Sequence, residues 1–243
     1  VSALTCARIG IGVSATIKAV ELWPMLHRLA ADPEIVPMPL GWWPRPSGAA
    51  MTCVVAAWGI LGAALAAGIG VRVSGAALAA VLGYIVTLDQ QSYSSHLYLL
   101  ALTAGLMAAA HSERGREPAI ALLRWQLVLV YAFAALSKLN PAFVSGLLIS
   151  LNLRPVFWGF RWIPLLMSLA LATIAAEAFL AWSLVRPRWR MTGAVVGVGL
   201  HVGFIVMVTE TVAMIVFAIV CLSMYPLFWM KSAPGAVARG VPA

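Results

Sequence analysis

Lys138 ends a long apolar run, "RWQLVLVYAFAALSK" (124–138), and Pro141 follows three residues later. Burial disfavours a charged amine, so a lysine held partly out of water can act as a general base. A lysine at a helix end can also reach the interface along its own stem, so the stretch fits either role. Nine further ionisable residues lie in or beside apolar stretches: Arg8, Lys18, Glu21, Asp89, His96, Arg124, Glu177, His201 and Glu210. Charges within a bilayer are costly and mark functional groups or buried pairs.

His96, in "SYSSHLYL", opens a helix, with Ser94 or Ser95 as its N-cap. It fits either a capped helix start or an imidazole aimed into the bundle. His201 lies mid-span among glycines in "VGVGLHVGF", a setting in which a histidine also serves as a helix-to-helix hydrogen-bond partner. Glu177 is mid-span in "TIAAEAFLAW" and needs a cation; a structural ion pair with Arg8 or Arg124 is expected. Glu210 falls in the turn "VMVTETVAM". No metal is expected, because the four histidines show no ligand spacing. The segment "GIGVRVSG" (68–75) lacks the lysine of a phosphate-binding loop, and no nucleophile elbow is present.

These groups are carried by a very apolar chain. Of 243 residues 63% are hydrophobic and 10% are charged, against roughly 25% charged in soluble domains. The mean hydropathy is +0.96. The predicted fold is an all-α polytopic membrane bundle of about eight spans, near 3–22, 49–71, 74–89, 93–110, 118–138, 163–185, 191–209 and 211–230. The runs do not alternate as in a membrane barrel. A broken or re-entrant segment is expected after Lys138, over 139–162, with Trp158 and Trp162 at headgroup level. The Pro- and Trp-rich stretch 23–48 is expected to be an interfacial connection. Residues 1–232 form the transmembrane domain and 233–243 a short polar tail. Arg8 and Lys18 in the first span argue against a cleavable leader.

The net charge of +8 sits in short loops such as "RPRWR" (186–190), which orients a membrane protein rather than binding nucleic acid. Arg72, Arg114, Arg116, Arg186, Arg188, Arg190, Lys231 and Arg239 fall on one side. This predicts an inner-membrane protein with both termini cytoplasmic and a site toward the outer side. Cys6, Cys53 and Cys221 are far apart and read as small buried hydrophobes. "GAALAAGIG" (62–70) permits close helix packing, within the bundle or between chains.

Four segments resemble the vitamin K-dependent gamma-carboxylase family and its bacterial relative, the HTTM (horizontally transferred transmembrane) domain. In "RWQLVLVYAFAALSKLNPAF" (124–143), Arg124, Gln126, Tyr131, Lys138, Leu139, Asn140 and Phe143 match the core motif. In "LDQQSYSSHLYLLAL" (88–102), Asp89, His96 and Tyr98 fall in place, with Ser95 where the family has asparagine. "CARIGIG" (6–12) resembles the start of the first span, and "LHVGFIVMVTETVAMIVF" (200–217) the late histidine-bearing helix. The resemblance implies an epoxidase and lyase-type activity in which Lys138 deprotonates reduced vitamin K or menaquinol, with His96 nearby. Oxygen and carbon dioxide would be co-substrates, and no metal is implied. Gln126, Tyr131, Asp89, Tyr98, Arg124 and His201 would surround the substrate.

Two functions from different classes follow. One is a quinol-dependent oxygenase or carboxylase-like enzyme with Lys138 as base. The other is a non-catalytic membrane subunit binding a quinone, a lipid or a partner membrane protein through the same cavity. Membrane lipids are expected partners of either. A transporter is disfavoured by the lack of internal repeats.

Overall fold

The computed structural model describes residues 2–31, 46–88 and 94–230, and among these all regular structure is helical. The long helices are α1 (Ala3–Ala31), α2 (Gly48–Ala67), α3 (Val71–Leu88), α4 (Ser95–Ala110) and α5 (Arg116–Ser137). Two short helices follow, α6 (Pro141–Val144) and α7 (Leu147–Asn152), then a 3-10 turn, Pro155–Phe160. The bundle closes with α8 (Ile163–Val185), α9 (Arg190–Met207) and α10 (Thr211–Met224), the last running into a 3-10 segment, Tyr225–Trp229. Among the described residues, seven helices are long and apolar enough to cross a membrane, and α4 is a shorter apolar helix. The chain is an integral membrane helical bundle.

One boundary is corrected. The first helix does not stop near residue 22 but continues through Pro24 to Ala31. Proline removes one backbone donor and suits a helical φ. The turns on either side hold, and Arg28 Nε donates to the Pro24 carbonyl at 3.2 Å. The remainder of the connection, 32–45, lies outside the described residues.

The close packing permitted by the small residues is within the bundle. A side chain on Gly12 would meet the Ala66 backbone N at 2.5 Å, and one on Gly62 the Gly12 carbonyl at 3.0 Å. The α1 and α2 backbones therefore nearly touch, and α1 also packs against α10. On the other side of the bundle α8 packs on α5 and α9.

Helix ends within an apolar bundle leave carbonyls unpaired. Arginines occupy several of them. Arg8 Nη1 donates to Leu65 O and Ala66 O at 2.6 and 2.7 Å, at the C-terminus of α2. Gly68, in the left-handed conformation at φ 84, ends that helix, and a side chain there would meet the Arg8 guanidinium at 2.8 Å. Arg124 donates to Leu227 O and Met230 O, both at 2.8 Å. Arg190 donates to Leu184 O at 3.1 Å and to Phe228 O at 2.6 Å.

Overpacking a well-filled contact costs about 1–3 kcal/mol. Gly62→Val is expected to lower the melting temperature of the purified protein in detergent. Gly83→Ala, where a methyl meets nothing within 4 Å, is expected to leave it unchanged.

Candidate functional site

The sequence "SKLNPAF" folds as a corner. Lys138 is the C-cap of α5. Asn140 then caps α6: its side chain accepts from Phe143 N at 3.0 Å, while its amide donates back to Ser137 O at 2.8 Å. Pro141 occupies the first turn, where its missing N–H is harmless. The corner places the Phe143 ring beside the Lys138 amine, 5.7 Å from the ring centroid.

The Lys138 side chain does not run out to the interface. Its Nζ turns back along α5 and donates to Ala134 O at 3.3 Å. It also donates to both oxygens of Glu177, at 2.7 and 2.8 Å. Lys138 lies fourteen residues past Arg124, or about 21 Å of helix at ~1.5 Å per residue. Lys138 therefore sits at the far end of α5 from Arg124. The Glu177 side chain is 3% exposed and that of Lys138 is 22% exposed. The amine is the accessible member and the carboxylate the enclosed one.

This corrects the expected pairing of Glu177. Arg8 sits on α1, which packs on α2 and α10, whereas α8 packs on α5 and α9. Arg8 and Arg124 are both committed to helix-terminal carbonyls, so Lys138 is the cation that meets Glu177. The helix neighbours decided this, and they are not encoded in the spacing of any one segment.

Lys138 and Glu177 line a cavity of about 930 Å³, together with His96, Tyr98 and Gln126. Its other walls are mostly apolar and include Phe133, Phe143, Met207 and Phe217. Glu210 reaches its margin from the turn between α9 and α10. Ser94 is the N-cap of α4, accepting from His96 N at 3.3 Å, and the His96 ring packs against Phe217 at 5.2 Å. Phe133 and Tyr98, on neighbouring walls, are 65% and 50% exposed on the bundle surface, so the cavity adjoins the lipid-facing side.

Three of the other residues expected around a substrate do not line the cavity. Arg124 is a staple at the opposite end of α5. Tyr131 and His201 are buried behind the wall, where the Tyr131 hydroxyl bonds His201 Nε2 at 2.9 Å and the Tyr225 hydroxyl at 2.7 Å. Gly197 makes room for that hydroxyl, since a side chain there would collide with Tyr225. Phe217 separates this buried chain from the cavity: its ring stands edge-on to His201 at 5.3 Å and tilted against His96. Asp89 lies outside the described residues. Among the described residues no group of side chains has the composition of a metal site.

The segment after the corner is ordered and forms one wall. Leu153 bridges antiparallel to Val208, with Arg154 N donating to Met207 O and Thr209 N to Asn152 O, both at 2.9 Å. The Arg154 side chain then holds the α9–α10 turn, donating to Val208 O at 2.9 Å, to Ile205 O at 2.7 Å and to the Thr211 hydroxyl. Trp158 and Trp162 are exposed along this cap, and Arg161 lies over the Trp158 ring at 4.4 Å. Phe217, Phe143 and the cap were missed as site-forming elements, because nothing in an apolar stretch marks which face turns toward a cavity.

Removing one member of a buried ion pair strands the other and costs ~3 kcal/mol or more, whereas an apolar pair of similar volume is tolerated. Lys138→Met alone is expected to lower the melting temperature in detergent clearly. The double variant Lys138→Met, Glu177→Leu is expected to recover most of the loss.

Residues 1–116 match the family model of the HTTM domain, a stretch covering α1 to α4 and the start of α5. No curated protein and no solved structure matches the chain. The lysine-bearing motif lies beyond the matched residues, so its likeness to the carboxylases rests on its own residues. On that match, the first four helices of this chain are similar to the HTTM domain.

Proposed function

We propose that the chain binds a lipid-soluble quinol in the cavity beside Lys138 and takes a proton from it, as the first step of an oxygen-dependent reaction. The observation that carries this reading is that Lys138 and His96, from separate sequence motifs, line one cavity. The shape and chemistry of the cavity suit such a ligand. Its volume of about 930 Å³ is within the usual range of small-molecule sites, and its apolar walls hold a few convergent polar groups. A reduced quinone would supply the reactive oxygen, while this chain's residues bind it, orient it and move its proton.

Each residue has a stated task in this reading. Gln126 and Tyr98 present polar groups to the ligand ring. His96, held at the N-terminus of α4 against Phe217, offers an imidazole at the same wall. A phenolic hydroxyl ionises near pH ~10 in water, so a cation that meets the oxyanion assists its ionisation. Excluding water would also protect a strongly basic product. We further infer an inner-membrane setting with both termini cytoplasmic, supported by Arg72, Arg114, Arg116, Arg186, Arg188 and Arg190 in or beside the loops that follow α2, α4 and α8.

A second reading has an observation in its favour. All three N–H groups of Lys138 are engaged, two by Glu177 and one by Ala134 O. A saturated ammonium suits a binding subunit that holds a quinone or lipid without transforming it.

Mass spectrometry separates the two. Purified protein incubated with menaquinol and oxygen is expected to yield the quinone epoxide, and Lys138→Ala is expected to yield at least ~10-fold less. A folded parent that binds menaquinone but forms no epoxide would establish the binding role instead.

A further inference from the structure

We propose that Glu177, rather than Lys138, accepts the proton of a phenolic hydroxyl bound in the cavity, and that Lys138 stays an ammonium throughout. The assignment rests on the reading that the cavity takes a phenolic ligand. It departs from the role that the motif resemblance implies for the lysine.

The geometry supports it on three counts. An ammonium has three donors and no acceptor, and Lys138 directs its Nζ to three acceptors, the two Glu177 oxygens and Ala134 O. Three acceptors around one nitrogen match the donor set of an ammonium. The Phe143 ring at 5.7 Å also favours a cation over a neutral amine. Glu177, in contrast, accepts hydrogen bonds from Lys138 alone among the described residues, so each carboxylate oxygen keeps a lone pair for an incoming proton.

The step balances without a co-reactant. The ligand O–H bond breaks and an O–H bond forms on Glu177, converting a carboxylate to a neutral acid. The ligand becomes an oxyanion. The Lys138 N–H donors move from the carboxylate to that oxyanion, so the ammonium exchanges one anion for another. Net charge in the cavity is unchanged, which matters where water cannot compensate a new charge. Were Lys138 the acceptor, it would first have to pass its own proton to Glu177, and that neutral pair would forfeit the bidentate contact at 2.7 and 2.8 Å.

Infrared difference spectroscopy of the full chain in detergent tests this, with a long-chain alkyl nitrophenol as probe at a pH where the free probe is protonated. Visible absorbance reports whether the bound probe is phenol or phenolate. The infrared spectrum reports whether a carboxyl group gains a proton. Carbon-13-labelled glutamate assigns the band to glutamate without any substitution, and Glu177→Gln locates it. The expected result is bound phenolate with one glutamic acid gained per probe, absent in Glu177→Gln and retained in Lys138→Arg, whose guanidinium is a cation that cannot serve as a base. Bound phenolate without a gained acid would overturn the assignment, as would a probe that binds in its neutral form. A probe that does not bind would overturn both the assignment and the cavity reading. Menaquinol that gives no epoxide, beside a gained glutamic acid with the probe, would remove the oxygenase reading alone.

Discussion

Cations placed in an apolar bundle need acceptors from the protein, because the surrounding side chains offer none. That constraint organises this molecule. Arg8, Arg124 and Arg190 each donate to backbone carbonyls at the ends of helices. Arg154 does the same at the α9–α10 turn. Each guanidinium ties together segments distant in sequence, and each satisfies acceptors that a bilayer would leave unpaired. Lys138 is different. Its fork of donors falls chiefly on a carboxylate, Glu177, at the wall of a cavity. The arginines fix the frame, and the lysine is left where a ligand can meet it.

The cavity exists because three local devices coincide. The corner built by Asn140 and Pro141 turns the chain away from α5 and brings Phe143 over the amine. The cap formed by α6 and α7 is then clipped to the α9–α10 turn through Leu153 and Arg154. Phe217 on α10 closes the back and keeps the buried Tyr131–His201 contact apart from His96. The buried tyrosines give α5, α9 and α10 a shared polar contact of the kind that fixes register between helices.

An ion pair is also an economical way to prepare a proton transfer in a dry site. A lone neutral base there would create a cation and an oxyanion where neither stood before, and a medium of low dielectric resists such new charges. A pair can exchange one anion for another at constant charge. This is the physical reason that Glu177 belongs in any account of what Lys138 does.

The sequence alone determined the all-helical membrane fold, the approximate spans and a serine cap just before His96, and it drew attention to the segment around Lys138. Each follows from local rules: apolar length, capping chemistry and the rarity of charge in a bilayer. It also brought His96 and Lys138 to attention as a potential pair, and both line the same cavity. Tertiary structure decided the rest. It extended α1 through Pro24, turned Lys138 back along its own helix, gave Glu177 to Lys138 instead of Arg8, and withdrew Arg124, Tyr131 and His201 from the cavity. Those outcomes depend on which helices are neighbours and which faces they turn to one another. In a chain so uniformly apolar, the hydrophobic pattern that normally distinguishes an inward face from an outward one is nearly flat, so the neighbours are set by the fit of glycines, arginines and aromatic rings across distances that sequence spacing does not encode.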